Sequence, residues 1–237
     1  RWLAEANVLL DEGREDEALE RLRQAFAIGL EMGYTGFYGW RPGMMSRLCA
    51  RALEAGIEPD YARRLVRERR LEPEGAALDN ASWPWPIRIR AFGEFTVEID
   101  NEPVRFKAKA QRKPLDLLKT IVAGGGRAVP DTRLTQALWP DAEGDAAQQA
   151  LATTLHRLRK LLGDEEAIEV ESRALSLNPA RVWVDALAFE RLAAAKDPAA
   201  RAAAADLYRG AFLGSEEAAW ALGTRERLRA KFLRLAR

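Results

Sequence analysis

The chain has 237 residues, 48% hydrophobic and 31% charged, with 37 basic and 36 acidic side chains and a formal net charge of +1. That length suits one large or two modest domains, and the near-neutral total excludes a blanket attraction to nucleic acid or to an anionic membrane surface. The single cysteine, Cys49, excludes a disulfide framework within the chain and fits a reducing cytoplasm.

The charge is unevenly placed. Residues 1–85 carry 12 basic and 15 acidic groups, residues 86–163 carry 13 and 9, and residues 164–237 carry 12 and 12. The positive excess therefore falls on the middle segment. No apolar run approaches the roughly 20 residues of a membrane span, and no signal-peptide pattern is read. Both ends fall within helical patterns, so a fragment of a longer protein is expected.

In chain order, residues 2–31 read as an antiparallel helix pair. Trp2, Leu3, Ala6, Leu9 and Leu10 form one apolar stripe, and Ala18, Leu19, Leu22, Ala25, Phe26 and Leu30 form the second. Gly13 breaks the pair and Gly33 ends it. Helix pairs with small alanines at the crossing stack in helical repeats, so a tetratricopeptide-like packing is expected. Residues 34–42 form an aromatic loop, read either as a plug between helix layers or as a partner-binding patch. Two more helices follow at 43–55, which places Cys49 on a buried face, and at 60–70. The second has a basic face of Arg63, Arg64, Arg67, Arg69 and Arg70, either solvated or in contact with nucleic acid or another domain. Residues 72–86 read as a linker stiffened by prolines and pinned by Trp83 and Trp85.

From Ile87 the period changes to two. Ile87, Ile89 and Ala91, then Phe95, Val97 and Ile99, alternate with polar residues. Gly93-Glu94 marks a bend. Asp100-Asn101-Glu102-Pro103 is a turn, and Val104 and Phe106 continue into a return strand. Three helices are expected next. The first covers 112–123, with Leu115, Leu117, Leu118, Ile121 and Val122 inward, and ends at Gly124-Gly125-Gly126. The second covers 131–138, capped by Asp131 or Thr132 and stopped by Trp139-Pro140. The third covers 145–162, with Leu151, Leu155, Leu158 and Leu162 as its inward stripe. A hairpin at 168–177 with Arg173 near its tip follows, then a turn at 178–181. Val182-Trp183-Val184 is expected to pack under the sheet. The remainder, 185–237, reads as three more helices. One carries Leu187, Phe189, Leu192 and Ala193, the next starts at Asp197-Pro198, and the last covers 222–235.

Sheet, three helices and hairpin in this order make a winged helix-turn-helix with an N-terminal sheet, in a chain that is mostly α with small β. The third helix would enter the DNA major groove. On its outward face stand Gln149, Thr153, His156 and Lys160, flanked by Arg157 and Arg159. Small and hydroxyl residues let the helix backbone approach a groove, and the longer side chains can reach bases or phosphates. Taken alone the helix reads equally as an ordinary amphipathic surface helix, and the helices before it and the hairpin after it favour the DNA reading. Arg173 suits a phosphate or minor-groove contact. Arg112, Lys113 and Arg133, on the two preceding helices, complete the candidate DNA-binding set. Glu169 and Glu171 would repel phosphates if they faced them.

Residues 87–184 resemble the winged-helix domain of the bacterial antibiotic regulatory protein (SARP-like) transcriptional regulators, which is related to response-regulator output domains. The resemblance lies in Arg112-Lys113-Pro114-Leu115-Asp116-Leu117-Leu118, Leu134-Thr135-Gln136-Ala137-Leu138-Trp139-Pro140, and Ala150-Leu151 through Leu155-His156-Arg157-Leu158-Arg159-Lys160-Leu161-Leu162-Gly163. Thr154 and His156 stand where the family commonly has histidine and serine, which leaves base specificity open. Asp185 through Leu192 resembles the opening of the bacterial transcriptional activator domain that follows such winged helices, and that domain is expected to be incomplete here. The layout is similar to the C-terminal part of a large ATPase-containing regulator. The resemblance implies binding to double-stranded promoter DNA, often as dimers on direct repeats, and transcriptional activation. It also implies that the loop 140–144 lies near RNA polymerase. That loop could equally serve only to cap the third helix through Asp145.

The expected division is 1–71 helical and repeat-like, 72–86 linker, 87–184 winged helix and 185–237 activator-domain opening. An enzyme is not expected, because the one histidine, His156, has no nucleophile–base pairing beside it. No Cys/His set could hold zinc, and Gly124-Gly125-Gly126-Arg127 lacks the Lys-Ser/Thr of a phosphate loop. No cofactor is expected. The rival class is a protein-docking module that keeps the winged-helix fold without binding DNA.

Overall fold

A computed structural model describes residues 1–105 and 111–235, with the side chain of Ala76 left aside. The chain divides into two compact units, Arg1–Pro84 and Trp85–Arg237.

In the first unit, α1 (Trp2–Asp11) and α2 (Glu15–Glu31) form the expected helix pair, followed by α3 (Pro42–Glu54) and α4 (Pro59–Glu68). Pro42 and Pro59 open their helices, where a missing N–H costs nothing. The two apolar stripes are only partly covered. Ala6, Ala18, Leu22, Ala25 and Phe26 are buried, whereas Trp2 and Leu30 are exposed. Tyr61 on α4 packs edge-on against Phe26, and its hydroxyl donates to the Tyr34 carbonyl at 2.6 Å. That hydroxyl lies 2.2 Å from where a Cβ on Gly29 would stand, so the close approach of α4 to α2 depends on glycine there. Cys49 is fully buried, and burial pushes its thiol up to about 12.

The linker is more ordered than proline content alone suggests. A 3-10 turn occupies Gly75–Asp79, Ser46 Oγ donates to the Glu72 carbonyl at 2.6 Å, and Asn80 donates to the Ala50 carbonyl at 3.0 Å. Trp83 and Trp85 are both buried.

The second unit opens with β1 (Ile87–Arg90), β2 (Thr96–Ile99) and β3 (Glu102–Pro103). The β2–β3 turn is tighter than expected. Ile99 pairs with Glu102, so only Asp100 and Asn101 turn, with φ of 49° and 68°. Two left-handed residues match the twist of a two-residue hairpin, and Pro103 sits on the sheet edge where no N–H is required. Phe106 lies outside the described residues. Helices α5 (Arg112–Ala123), α6 (Asp131–Leu138) and α7 (Gly144–Leu162) follow. A second sheet then forms from β4 (Val129–Pro130), β5 (Ile168–Glu171) and β6 (Ala174–Leu177), in the order β4-β6-β5.

One expectation is corrected by β7 (Val182–Val184). It does not pack under the first sheet but joins it, parallel to β1, with Ile87 opposite Val182. The order β3-β2-β1-β7 satisfies the backbone groups of β1 on both edges. Helices α8 (Asp185–Ala194), α9 (Pro198–Leu207) and α10 (Ala219–Leu235) complete the unit. Asp197 caps α9 by accepting from the amides of Ala199 and Ala200. These helices share one core with the sheet and α5–α7. Phe92, Phe189, Tyr208 and Phe232 form a chain of ring contacts through it. The segment at 211–214 pairs with Ala91–Gly93 through Gly93 N–H to Ala211 O (3.0 Å) and Leu213 N–H to Ala91 O (2.6 Å). A Cβ at Gly214 would stand 2.7 Å from the Gly93 carbonyl oxygen, so the pairing needs glycine there.

At the start of α8, Asp185 is 5% exposed. Its carboxylate accepts from the amides of Ala91 (2.7 Å), Phe92 (3.1 Å) and Ala186 (2.6 Å). Burial pushes this carboxyl up to about 6, against the opposing pull of those three N–H groups. The side chain ties the end of β1 to the start of α8.

Candidate nucleic-acid interface

Helices α5, α6 and α7 and the β5–β6 hairpin form a winged helix-turn-helix, with α7 in the place of the recognition helix. Its burial follows the 3.6-residue period. Ala147, Leu151, Thr154, Leu158 and Leu162 are buried, with Leu155 only half-buried. Gln149, Thr153, His156, Arg157 and Lys160 are exposed. Thr153 Oγ donates to the Gln149 carbonyl at 2.9 Å, so its proton is used within the helix while its lone pairs stay open. His156, Arg157 and Lys160 have no hydrogen bond or ion pair among the described residues. Thr154 is 6% exposed and cannot serve on the outer face.

The cap expected of Asp131 or Thr132 on α6 is not made. The capping position is Pro130, with no side-chain bond to the helix. Asp131, 8% exposed, instead accepts through Oδ2 from Gln148 Nε2 on α7 (3.2 Å) and from Arg173 Nε on the hairpin (3.0 Å). Asp145 is likewise no cap for α7, whose preceding residue, Glu143, also makes no capping bond.

The other candidates divide. Arg173 sits in the two-residue β5–β6 turn, where Ser172 and Arg173 have φ of 49° and 63°. Its side chain is 73% exposed despite the Asp131 pair. Arg159 is turned inward and donates to the Ile168 carbonyl at 2.5 Å, with Glu165 at 3.9 Å. It braces the end of α7 against the base of the hairpin. Lys113 donates to the Leu138 carbonyl at 2.8 Å and lies 5.4 Å from the Trp139 ring centroid, which satisfies the C-terminal end of α6. Arg112 is 83% exposed and 4.0 Å from Asp116. It shares a depression with Lys113, Glu216 and Trp220, none of which belongs to α7 or the hairpin. Arg133 is exposed on α6.

The hairpin's outer strand is acidic. Glu169 and Glu171 are exposed, and Val170 between them is 52% exposed. In the first unit, Arg69 just past the end of α4 stands over the Trp40 ring at 4.7 Å and Trp40 stacks on Phe37 at 5.9 Å, while Arg67 and Arg70 are exposed. Among the described residues, no group of His, Cys, Asp and Glu could hold a metal ion, and no helix is long and apolar enough to cross a membrane.

No family model and no curated protein matches the chain. Among solved structures, Mycobacterium tuberculosis EmbR in complex with low affinity phosphopeptide is similar at 19% identity with a TM-score of 0.47. The match covers 64% of this chain and 44% of that one. A likeness of that degree carries no argument about function.

Proposed function

We propose that the protein is a sequence-specific DNA-binding transcriptional regulator that reads the major groove with α7. One observation carries this. The exposed row Gln149, Thr153, His156, Arg157 and Lys160 lies opposite the packed face of the helix, and its cations have no partner among the described residues to lose when they meet phosphate. The small Ala152 and Thr153 allow close approach, and Gln149 and Arg157 have the donors that base edges require. Arg173 and Arg133 would add backbone contacts, and Arg112 would reach DNA only beyond the main footprint. Residues 87–184 act as the DNA-binding domain, 185–237 as the opening of a bacterial transcriptional activator domain, and 1–71 as a tetratricopeptide-like segment. The protein would work in the bacterial cytoplasm as a non-enzymatic activator on promoter DNA, as a dimer on repeated sites, with the loop 140–144 near RNA polymerase.

The test is fluorescence-anisotropy binding to a randomised duplex pool at two salt concentrations, with the bound fraction sequenced. An enriched motif and salt-sensitive binding support the proposal, and absence of binding at low salt refutes it. A second function, docking of another protein on the hairpin, is favoured by one feature. Val170 is exposed between Glu169 and Glu171, which suits a basic, partly apolar partner better than phosphate.

A further inference from the structure

Asp131 connects three elements. It begins α6, its N–H donates to the Arg173 carbonyl in the β5–β6 turn at 2.9 Å, and its Oδ2 takes both Arg173 Nε and Gln148 Nε2. The carboxylate is almost enclosed, with 11% of its side chain exposed, while the arginine it holds is 73% exposed. The bond uses Nε, which leaves the two terminal nitrogens of the guanidinium free to form a fork. A fork of that kind matches two oxygens of one phosphate. Gln148 immediately precedes Gln149 of the outward row, so the same carboxylate fixes the start of the reading face and the hairpin cation relative to each other.

On the footing of the DNA reading above, we infer that Asp131 is a positioning residue. It holds Arg173 as a preorganised clamp for one backbone phosphate, in register with α7. The carboxylate contacts no DNA itself. Holding the side chain in advance spares the entropy of ordering a long, flexible arginine on binding.

The inference makes an expectation opposite in sign to simple charge. Removing a carboxylate near DNA lessens repulsion and should tighten binding. Removing a positioning carboxylate should weaken it. Asp131→Asn keeps the shape and one acceptor oxygen in reach of both Gln148 and Arg173, while removing the charge that holds the guanidinium. Its affinity for the duplex enriched from the randomised pool should fall roughly three- to tenfold, the size of one net hydrogen bond. Arg173→Ala should weaken the enriched duplex and a scrambled duplex alike and make the slope of log K against log salt shallower by about 0.9. In the Arg173→Ala background, Asp131→Asn should add less than about a twofold effect, because the two act as one unit. Arg173→Lys, on the exposed turn, retains the charge but lacks both Nε and the fork, so it should lose affinity while keeping the wild-type slope.

Thermal unfolding of each variant separates a folding defect from a binding one, since the salt slope does not report stability. Unchanged or tighter binding by Asp131→Asn, or wild-type binding by Arg173→Lys, overturns the positioning role and leaves the DNA reading standing. Absence of salt-sensitive binding by the wild-type protein to any duplex overturns both.

Discussion

Asp185 supplies a pH-dependent stability whose sign the structure dictates. In an unfolded chain its carboxyl has the ordinary value of 3.8, and in the fold burial pushes it up to about 6. The folded state therefore prefers the protonated form. Its stabilising contribution is fully present below about pH 3.8 and is lost as pH rises through about 6. At about 1.4 kcal/mol per pH unit, the gap between 3.8 and about 6 amounts to about 3 kcal/mol. With the side chain only 5% exposed, little of this is screened by solvent. Asp185→Asn removes the titration. It also has a cost of its own, because one half of the amide presents N–H where Ala91, Phe92 and Ala186 also present N–H. The diagnostic is therefore the difference between wild type and variant across pH, not the value at one pH. Urea unfolding of both proteins from pH 4 to 7 should show the stability advantage of wild type shrinking by about 2 to 3 kcal/mol. Exchange protection of the Ala91 and Phe92 amides in the same buffers reports the site directly. A difference that is flat, or that grows with pH, would refute the reasoning and mean that the three N–H donors balance or outweigh desolvation.

Gly29→Ala would gain about 1 kcal/mol of helix propensity, yet its Cβ meets the Tyr61 hydroxyl. Overpacking and the loss of the Tyr61–Tyr34 bond should leave a net destabilisation of about 1–3 kcal/mol in urea unfolding. Arg157→Ala should weaken binding to the enriched duplex by roughly tenfold or more and relax selectivity at one base position, as sequencing of a re-selected pool would show. Unaltered affinity would remove Arg157 from the interface. Arg159→Ala should behave in the opposite manner. Loss of its bond to Ile168 costs about 1–2 kcal/mol of stability, while the salt slope of DNA binding stays that of wild type.

What was legible in the sequence was whatever one local period determines. The helices of the winged helix stand within a residue or so of where their apolar spacing and their glycine and proline punctuation put them, and the outward row of α7 follows from the same spacing as its buried stripe. The direction of β7 was not legible, because its pairing with β1 joins residues more than 90 positions apart and a short apolar strand reads alike whether it enters a sheet or covers one. The charged side chains were harder still. Arg157 and Arg159 look equivalent as letters on a helix, but two residues is about 200° of rotation, enough to put one in solvent and the other against the hairpin base. Lys113 and Arg173 each find an oxygen supplied by a distant segment, and Arg159 one at the foot of the next hairpin. A count of basic residues near the recognition helix therefore overstates the charge free to meet DNA. Arg133, Arg157 and Lys160 remain unpartnered among the described residues, while Arg173 is shared with Asp131. With so few free cations and an acidic outer strand on the hairpin, the proposed DNA reading predicts weak nonspecific attraction, so that discrimination between sites would have to come from the uncharged and bidentate contacts of α7.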